Sequence, residues 1–573
     1  SPAPAVEGGV VPYSRAFFDG AWRDVPVVAR ESLRAGSPPV VGPALIGERH
    51  CATVVEPGWT AGTDAAGALV MRRDIVRSPS PTATGPEDTL SAVDRELFTA
   101  RFTSLAEEMG EMLRRTALSV NVKERLDFSC ALLGPDGDLV ASAAHIPVHL
   151  GALGLCVRAL RERVPMAPGD VLVTNHPAFG GSHLPDVTVV TPVHDGGAGM
   201  LLGYVASRAH HAEIGGTRPG SMPPDATRLA DEGVVIPPTH LFRAGVADRD
   251  ALTRLLTGGP HPTRSLADNL ADVEAAVAAN RRGADALRAL AAAHGADRVH
   301  AAMEALADRA DALLGEALAR RASGRYEAAD ALDDGSPLRV AITLGRDAGG
   351  ATIDFTGTGA THPGNLNATP AIVRSAVLYV LRLLVNEPLP LNEGLLRRVR
   401  LVLPPGSLLS PDFDGEDPAR CPAVVGGNTE TSQRVVDLLL EALGLAANSQ
   451  GTMNNILFGS DAFGYYETVC GGAGATPTAA GASAVHTHMT NTRITDPEVL
   501  ERRCPVRVER FAVRRGSGGA GRHPGGDGAV REIAFLAPVS LSVLTQHRVS
   551  GPRGAEGGGD GKPGRQRVIR ADG

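Results

Sequence analysis

Aromatic residues make up only 4% of the chain, so small side chains must do much of the packing. Cysteine is scarce as well. Cys51, Cys130, Cys156, Cys421, Cys470 and Cys504 stand far apart and form no CxxC pair. That spacing excludes a zinc ribbon or a dense disulfide framework and leads us to expect buried free thiols in a reducing compartment, the cytoplasm. No apolar run approaches the ~20 residues of a membrane span. Positive charge is not in excess: 56 Lys and Arg against 64 Asp and Glu leave a net charge of −8, without a basic stripe. Neither nucleic acid nor a membrane is an expected partner. The start, Ser1-Pro-Ala-Pro, lacks the basic and apolar regions of a signal peptide and an initiator Met, which points to a piece of a longer chain. A Walker A loop is missing too. Gly516-Ser-Gly-Gly-Ala-Gly and Gly525-Gly-Asp-Gly open no strand–loop–helix unit and read as turns.

What is present is long and loop-rich: 573 residues with 68 Gly and 42 Pro, enough for two or more domains. Residues 1–73 read as short strands broken by Gly and Pro. Residues 74–93, with Ser78-Pro-Ser-Pro-Thr-Ala-Thr-Gly-Pro, read as a linker. Residues 94–573 form the main region. It opens on an amphipathic helix with Phe98, Phe102, Leu105, Met109 and Met112 on one face. Strands follow at 139–141, 171–173, 187–193 and 199–209. An Ala-rich helical insertion covers about 265–322, breaking at His294-Gly295, and further helices are expected at 370–386 and 430–444. The predicted fold class is α+β, multidomain, with mixed β-sheets and a long Ala-rich helical segment.

The densest polar constellation runs from His145 to Glu213. It contains His145-Ile-Pro-Val-His149, Asn175-His-Pro, Gly180-Gly-Ser-His183-Leu-Pro-Asp186 and His210-His211-Ala-Glu213. Imidazole and carboxylate together suit a borderline divalent ion, zinc or manganese. His183 and Asp186 are three apart beside a strand start, so one turn can aim both at one point. The His210–His211 pair ends a second strand, where alternation turns its two side chains to opposite faces. Only one of the two can be the third ligand. His149 and Glu213 are candidate supporting or catalytic groups, and Glu213 is a candidate to hold a ligating histidine by its second nitrogen. The bland alternative is a set of separate histidines bonded to backbone. Further on, Tyr465 and Glu467 share one strand face. Glu467 is a candidate general acid or base and Arg493 a candidate oxyanion or phosphate clamp.

These segments together resemble the hydantoinase B/oxoprolinase family. The matching motifs include Lys123-Glu-Arg-Leu-Asp-Phe-Ser-Cys, His145-Ile-Pro-Val-His-Leu-Gly, Gly180-Gly-Ser-His-Leu-Pro-Asp-Val and His210-His-Ala-Glu-Ile-Gly-Gly. Gly427-Asn-Thr-Glu-Thr-Ser-Gln-Arg, Gly451-Thr-Met-Asn-Asn, Tyr465-Tyr-Glu-Thr and Met489-Thr-Asn-Thr-Arg continue the series in order. Residues 1–73, notably Gly42-Pro-Ala-Leu-Ile and Pro57-Gly-Trp, resemble the C-terminal tail of the companion hydantoinase A.

The resemblance implies a division of labour. An actin-like ATPase of hydantoinase A type, here a separate partner in a hetero-oligomer, phosphorylates a cyclic amide. The B region then opens the ring with the help of a divalent metal held by His183, Asp186 and one of His210 or His211. The substrate class would be 5-oxoproline, a hydantoin or a lactam. The alternatives are a subunit of an acetone- or acetophenone-type carboxylase, or a scaffolding subunit without catalysis. Two departures stand out: His176 where the family often has Asp, and Glu213 where it often has Asp.

Overall fold

The computed structural model describes residues 12–18, 21–73, 90–143, 145–196, 199–345, 349–413, 417–461 and 463–570. The expected linker lies outside these residues as far as position 89; its last positions already belong to a helix that Ser91 caps. The chain divides into two compact units, Ser1–Thr89 and Leu90–Gly573.

Among the described residues the smaller unit is β-rich, with one 3₁₀ turn at Arg30–Ser32. Tyr13–Phe18, Ala21–Ala29, Ala44–Gly47 and Ala52–Val55 form one sheet, and Val40–Val41, Trp59–Thr63 and Leu69–Arg73 form another. Its core is small, built on Ala44, Ile46, Val55 and Ala61.

The larger unit is organised around a seven-stranded antiparallel sheet. Its strands are β1 (Phe128–Leu133), β2 (Leu139–Ser142), β3 (Val171–Thr174), β4 (Asp186–His194), β5 (Leu201–His210), β6 (Thr239–Arg243) and β7 (Val246–Ala247). Their spatial order is β7-β6-β3-β4-β5-β1-β2. Three helices cover it: α1 (Ala92–Thr116), α2 (Pro147–Arg163) and α3 (Leu266–His294). Alternation assigns the faces. Cys130, Leu132, Val173, Val189 and Val205 point into the core under α1 and α3, with Phe102, Met109 and Val273. Ala131, Leu133, Leu172, Val190 and Ala206 point the other way, against Leu153, Val157 and Leu160 of α2. Burial on both faces fits the high share of apolar residues in β1 and β4, and the two Thr of β4 are buried with them. Each large side chain so buried contributes about 2 kcal/mol.

The Ala-rich segment is therefore a cover for the sheet and not an insertion standing apart from it. Gly283 shows how closely α3 lies: a Cβ there would meet Met109 Sδ at 2.3 Å and Val205 Cγ1 at 3.2 Å.

Beyond α3, helix α4 (Ala296–Ala319) leads to a four-stranded sheet of Gly324–Ala331, Pro337–Leu344, Ala351–Asp354 and Val399–Val402. Helices α5 (Pro370–Val385) and α6 (Ser432–Ala442) fall where the sequence predicts them. A π-helical turn, Gly427–Thr431, precedes α6. The C-terminal part carries a three-stranded sheet in the order Phe463–Thr468, Asn455–Ser460, Ser540–Leu544, and a ribbon of Val506–Arg514 with Gly528–Phe535. The class is α+β, as predicted. Cys51 is exposed and Cys470 half-buried, against the expectation of burial, and the other four cysteines are buried. Among the described residues no helix is long and apolar enough to cross a membrane.

Candidate metal centre

The β4–β5 register makes the site. Asp186, the first residue of β4, pairs with His210, the last of β5. Directly opposed residues share a face, here the one that α2 covers. His183 joins them through a tight turn in which the Asp186 N–H donates to the His183 carbonyl at 3.1 Å. The loop before it is held in place by Asn175, which donates to the Leu184 and Val234 carbonyls and accepts from the Ile236 N–H. Gly180, at φ +78°, leaves no room for a side chain, since a Cβ there would meet the Cys156 N at 2.6 Å. These contacts give Asn175 and Gly180 the work of fixing the loop that carries His183.

One ligand atom each from His183, Asp186 and His210 lie within 4.8 Å of one another. All three residues are buried; His183 and Asp186 are 0% exposed. His183 Nε2 stands 3.3 Å from Asp186 Oδ2, and His149 Nε2, from the first turn of α2, stands 3.3 Å from Asp186 Oδ1. Ser182 donates to Asp186 Oδ2, and Ser129 Oγ lies 3.1 Å from His149 Nδ1. The rings of His183 and His210 lie 5.0 Å apart.

Burial alone would push the Asp186 carboxyl up, but His183 and His149 beside it hold it well below the usual carboxylate range. Burial, with His183 adding to it, pushes His210 well below the usual imidazole range. An ionised carboxylate and a neutral imidazole are the states a cation needs.

The residues fit a metal ion. Both ring nitrogens of His183, Asp186 Oδ1 and His210 Nε2 are buried without a hydrogen-bond partner among the described residues. Leaving such groups unpaired costs about 1–3 kcal/mol each. Two imidazoles and one carboxylate converging in a buried site are the donor set of a borderline divalent ion.

The other expected residues go elsewhere. His211 turns to the opposite face, with its Nδ1 3.0 Å from the Asn269 amide nitrogen on α3. Of the histidine pair, His210 is the one at the site. Glu213 does not support the cluster: its carboxylate accepts from Arg264 Nη1 at 2.9 Å and from the Gly215 and Gly220 N–H groups. The partner of His210 Nδ1 is instead Asn121, at 3.0 Å.

Tyr465 and Glu467 do share a face, with the Tyr465 hydroxyl donating to Glu467 at 3.1 Å. Glu467 is nevertheless closed in a two-bond pair with buried Arg531, both bonds 3.0 Å, so it is not available as an acid or base at the cluster. Arg493 is exposed. The guanidinium that reaches the site is Arg125, 4.3 Å over the Tyr466 ring, which stacks in turn on His210 at 4.8 Å.

Sequence reasoning gave Asn121, Arg125, Asp127 and Tyr466 no role. Arg125 and Asp127 stand in the quoted Lys123–Cys130 motif, and Tyr466 is the residue that alternation turns away from Tyr465 and Glu467. Asp127 is buried, and burial, opposed by Arg125 and His149, pushes its carboxyl up to about 6.

Comparison with known proteins gives the family. The family model for hydantoinase B/oxoprolinase matches residues 91–572. The chain is 43% identical to 5-oxoprolinase 1 of Arabidopsis thaliana over 97% of its own length and 45% of that protein's. It thus spans less than half of this curated relative. Among solved structures, it is similar to an ATP-dependent caprolactamase from Pseudomonas jessenii, with a TM-score of 0.70 and 26% identity, covering 79% of this chain and 80% of that one. An acetone carboxylase has a TM-score of 0.69 at 17% identity, covering 78% of this chain and 63% of that one, a likeness of fold alone.

Proposed function

The chain belongs to the hydantoinase B/oxoprolinase family, and from that premise we propose that it opens a small cyclic amide by metal-assisted hydrolysis after ATP-dependent activation of the ring. The names of its relatives, a 5-oxoprolinase and an ATP-dependent caprolactamase, support a lactam-type substrate. The observation that carries the reading is the buried set His183, Asp186 and His210, whose ligand atoms lie within 4.8 Å of one another, with His183 Nδ1 and His210 Nε2 making no hydrogen bond among the described residues.

An unstrained amide is resonance-stabilised, and phosphorylating its oxygen turns a poor electrophile into a good one. ATP use belongs to a hydantoinase A-type half. The 5-oxoprolinase relative contains the matched region within one longer chain, so a separate partner subunit gains no support from it. His183, Asp186 and His210 would hold the divalent ion, zinc or manganese. When bound, such an ion supplies Lewis acidity and lowers the pKa of water towards ~7. Around it, His149 Nε2 stands 3.3 Å from Asp186 Oδ1 and orients the carboxylate. Tyr466 and Arg125 wall the His210 side against water. The complete donor set supports catalysis over a scaffolding role.

The test is an assay with the ATP-using half and ATP on 5-oxoproline, a hydantoin, a six- or seven-membered lactam, and acetone with bicarbonate. Ring opening of one of the amides is expected. Turnover confined to acetone and bicarbonate would contradict the reading.

A further inference from the structure

Asn121 lies between two groups that make opposite demands on its side-chain amide. On one side Arg125 Nη1 is 3.4 Å from Asn121 Oδ1. A guanidinium has only donors, so the atom that faces it must be the oxygen. That leaves the Asn121 NH₂ facing His210 Nδ1 at 3.0 Å. The ring nitrogen it meets must then accept. A neutral imidazole carries one proton, so in this arrangement the proton sits on Nε2. Yet Nε2 is the buried, unpartnered atom on the side of His183 and Asp186, and a ligating nitrogen needs its lone pair.

We propose that the Asn121 amide is a positioning element that sets which nitrogen of His210 carries the proton, and that it turns over when the site takes its cation. The inference rests on the reading of His183, Asp186 and His210 as the ligand set. In the turned orientation Asn121 Oδ1 accepts from His210 Nδ1–H, and Nε2 is free to ligate. No net proton is gained or lost: one leaves Nε2 and one is placed on Nδ1.

The surroundings suit such a turn. The His210 ring lies nearly parallel to Tyr466, 14° between planes, and Tyr466 is covered on its other side by Arg125. The ring itself therefore stays in place while the amide turns. Arg125 keeps its bonds to the Tyr466 carbonyl at 2.9 Å, Thr492 at 3.2 Å, Thr468 at 3.3 Å and the Arg493 carbonyl at 3.3 Å. What is lost is its longest contact. After the turn the Asn121 NH₂ faces a guanidinium, donor against donor. Arg125 thus biases the metal-free protein against the ligating tautomer and makes the affinity of the site lower than the three ligands alone would give.

The decisive measurement uses protein labelled with ¹⁵N-histidine, stripped with chelator and then given stoichiometric Zn²⁺, with His210 assigned by comparison with His210→Gln. Long-range ¹H–¹⁵N spectra should show His210 protonated on Nε2 without zinc and on Nδ1 with it. Protonation on Nδ1 in the stripped protein overturns the inference. Zinc affinities add a second reading. In Asn121→Asp a carboxylate can accept from Arg125 and from His210 Nδ1–H together, so zinc should bind about 10-fold tighter than to the wild type. Asn121→Leu removes the acceptor and should bind about 10-fold more weakly. Equal affinity in all three proteins overturns the proposal while leaving the ligand set standing. A wild type that takes up no zinc or manganese overturns the ligand set itself, and this inference with it.

Discussion

Two regions of the chain are rich in polar residues, and the structure treats them in opposite ways. In the segment from His149 to His210, the ligand atoms of His183, Asp186 and His210 converge, and His183 Nδ1 and His210 Nε2 make no hydrogen bond among the described residues. In the segment from Tyr465 to Asp496, Glu467 and His488 are paired with charged groups from elsewhere in the chain, while His486 Nδ1 makes no hydrogen bond among the described residues. Glu467 is closed by Arg531, and His488 lies 2.9 Å from Asp437, which also accepts from the Ser449 N–H. A polar cluster in sequence does not separate a site from a scaffold; whether the fold supplies the counter-charges does. Buried pairs that are complete hold structure together, and buried groups that are incomplete call for a ligand.

The largest effect that could break this contrast is on activity. His183→Ala or Asp186→Ala should lower ring opening by about 1000-fold or more, corresponding to loss of several kcal/mol of transition-state stabilisation. ATP binding by the activating half should be unchanged. Turnover within about 10-fold of wild type would place the chemistry elsewhere.

The histidine pair sharpens the contrast further. His210→Ala should weaken metal binding by about 100-fold, and His211→Ala, whose ring meets Asn269 on the far face, by less than about 10-fold. Competition against a chelator of known affinity measures both. The reverse order would place His211, not His210, at the cation site.

Glu467→Leu tests the satisfied region. It leaves the Arg531 guanidinium buried and unpaired, which should cost about 3–5 kcal/mol in chemical denaturation, with metal content unchanged. Lost activity at undiminished stability would return Glu467 to the chemistry.

The smallest effect concerns pH. Burial pushes the carboxyls of Glu232 and Glu430 up to about 8. Both ordinary values are 4.5. Between 4.5 and about 8 the folded state therefore binds more protons than the unfolded one, so their contribution to stability is present below the lower value and falls as pH rises through the window. Glu430→Gln should flatten that slope in urea titrations at pH 5, 6, 7 and 8. An unchanged slope would show that Glu430 is ionised throughout.

Much of this was readable from residue order, because it depends on short spacing. The His183–Asp186 turn, the strand-end histidine pair and the helix carrying Phe98, Phe102 and Met109 are local patterns of period two, three or 3.6. What was not readable depends on partners far along the chain. Glu467 looks catalytic until Arg531 is brought against it, Glu213 until Arg264 is. Arg493 was a reasonable cation to choose, yet Arg125, hundreds of residues earlier, occupies the place. Choosing between His210 and His211 required the pairing of Asp186 with His210, a matter of register. Alternation that puts Tyr465 and Glu467 on one face turns Tyr466, between them, to the other, where it meets His210.

Three buried side chains forming one cation site should be visible in the metal content of the protein. Purified wild-type protein, dialysed against metal-free buffer and analysed by mass spectrometry for zinc and manganese, should carry about one equivalent of a divalent ion, as a single three-ligand site requires. His183→Ala, folded to the same degree by circular dichroism, should carry none. A full equivalent retained by His183→Ala, or none in the wild type even after incubation with zinc and manganese, would contradict the account.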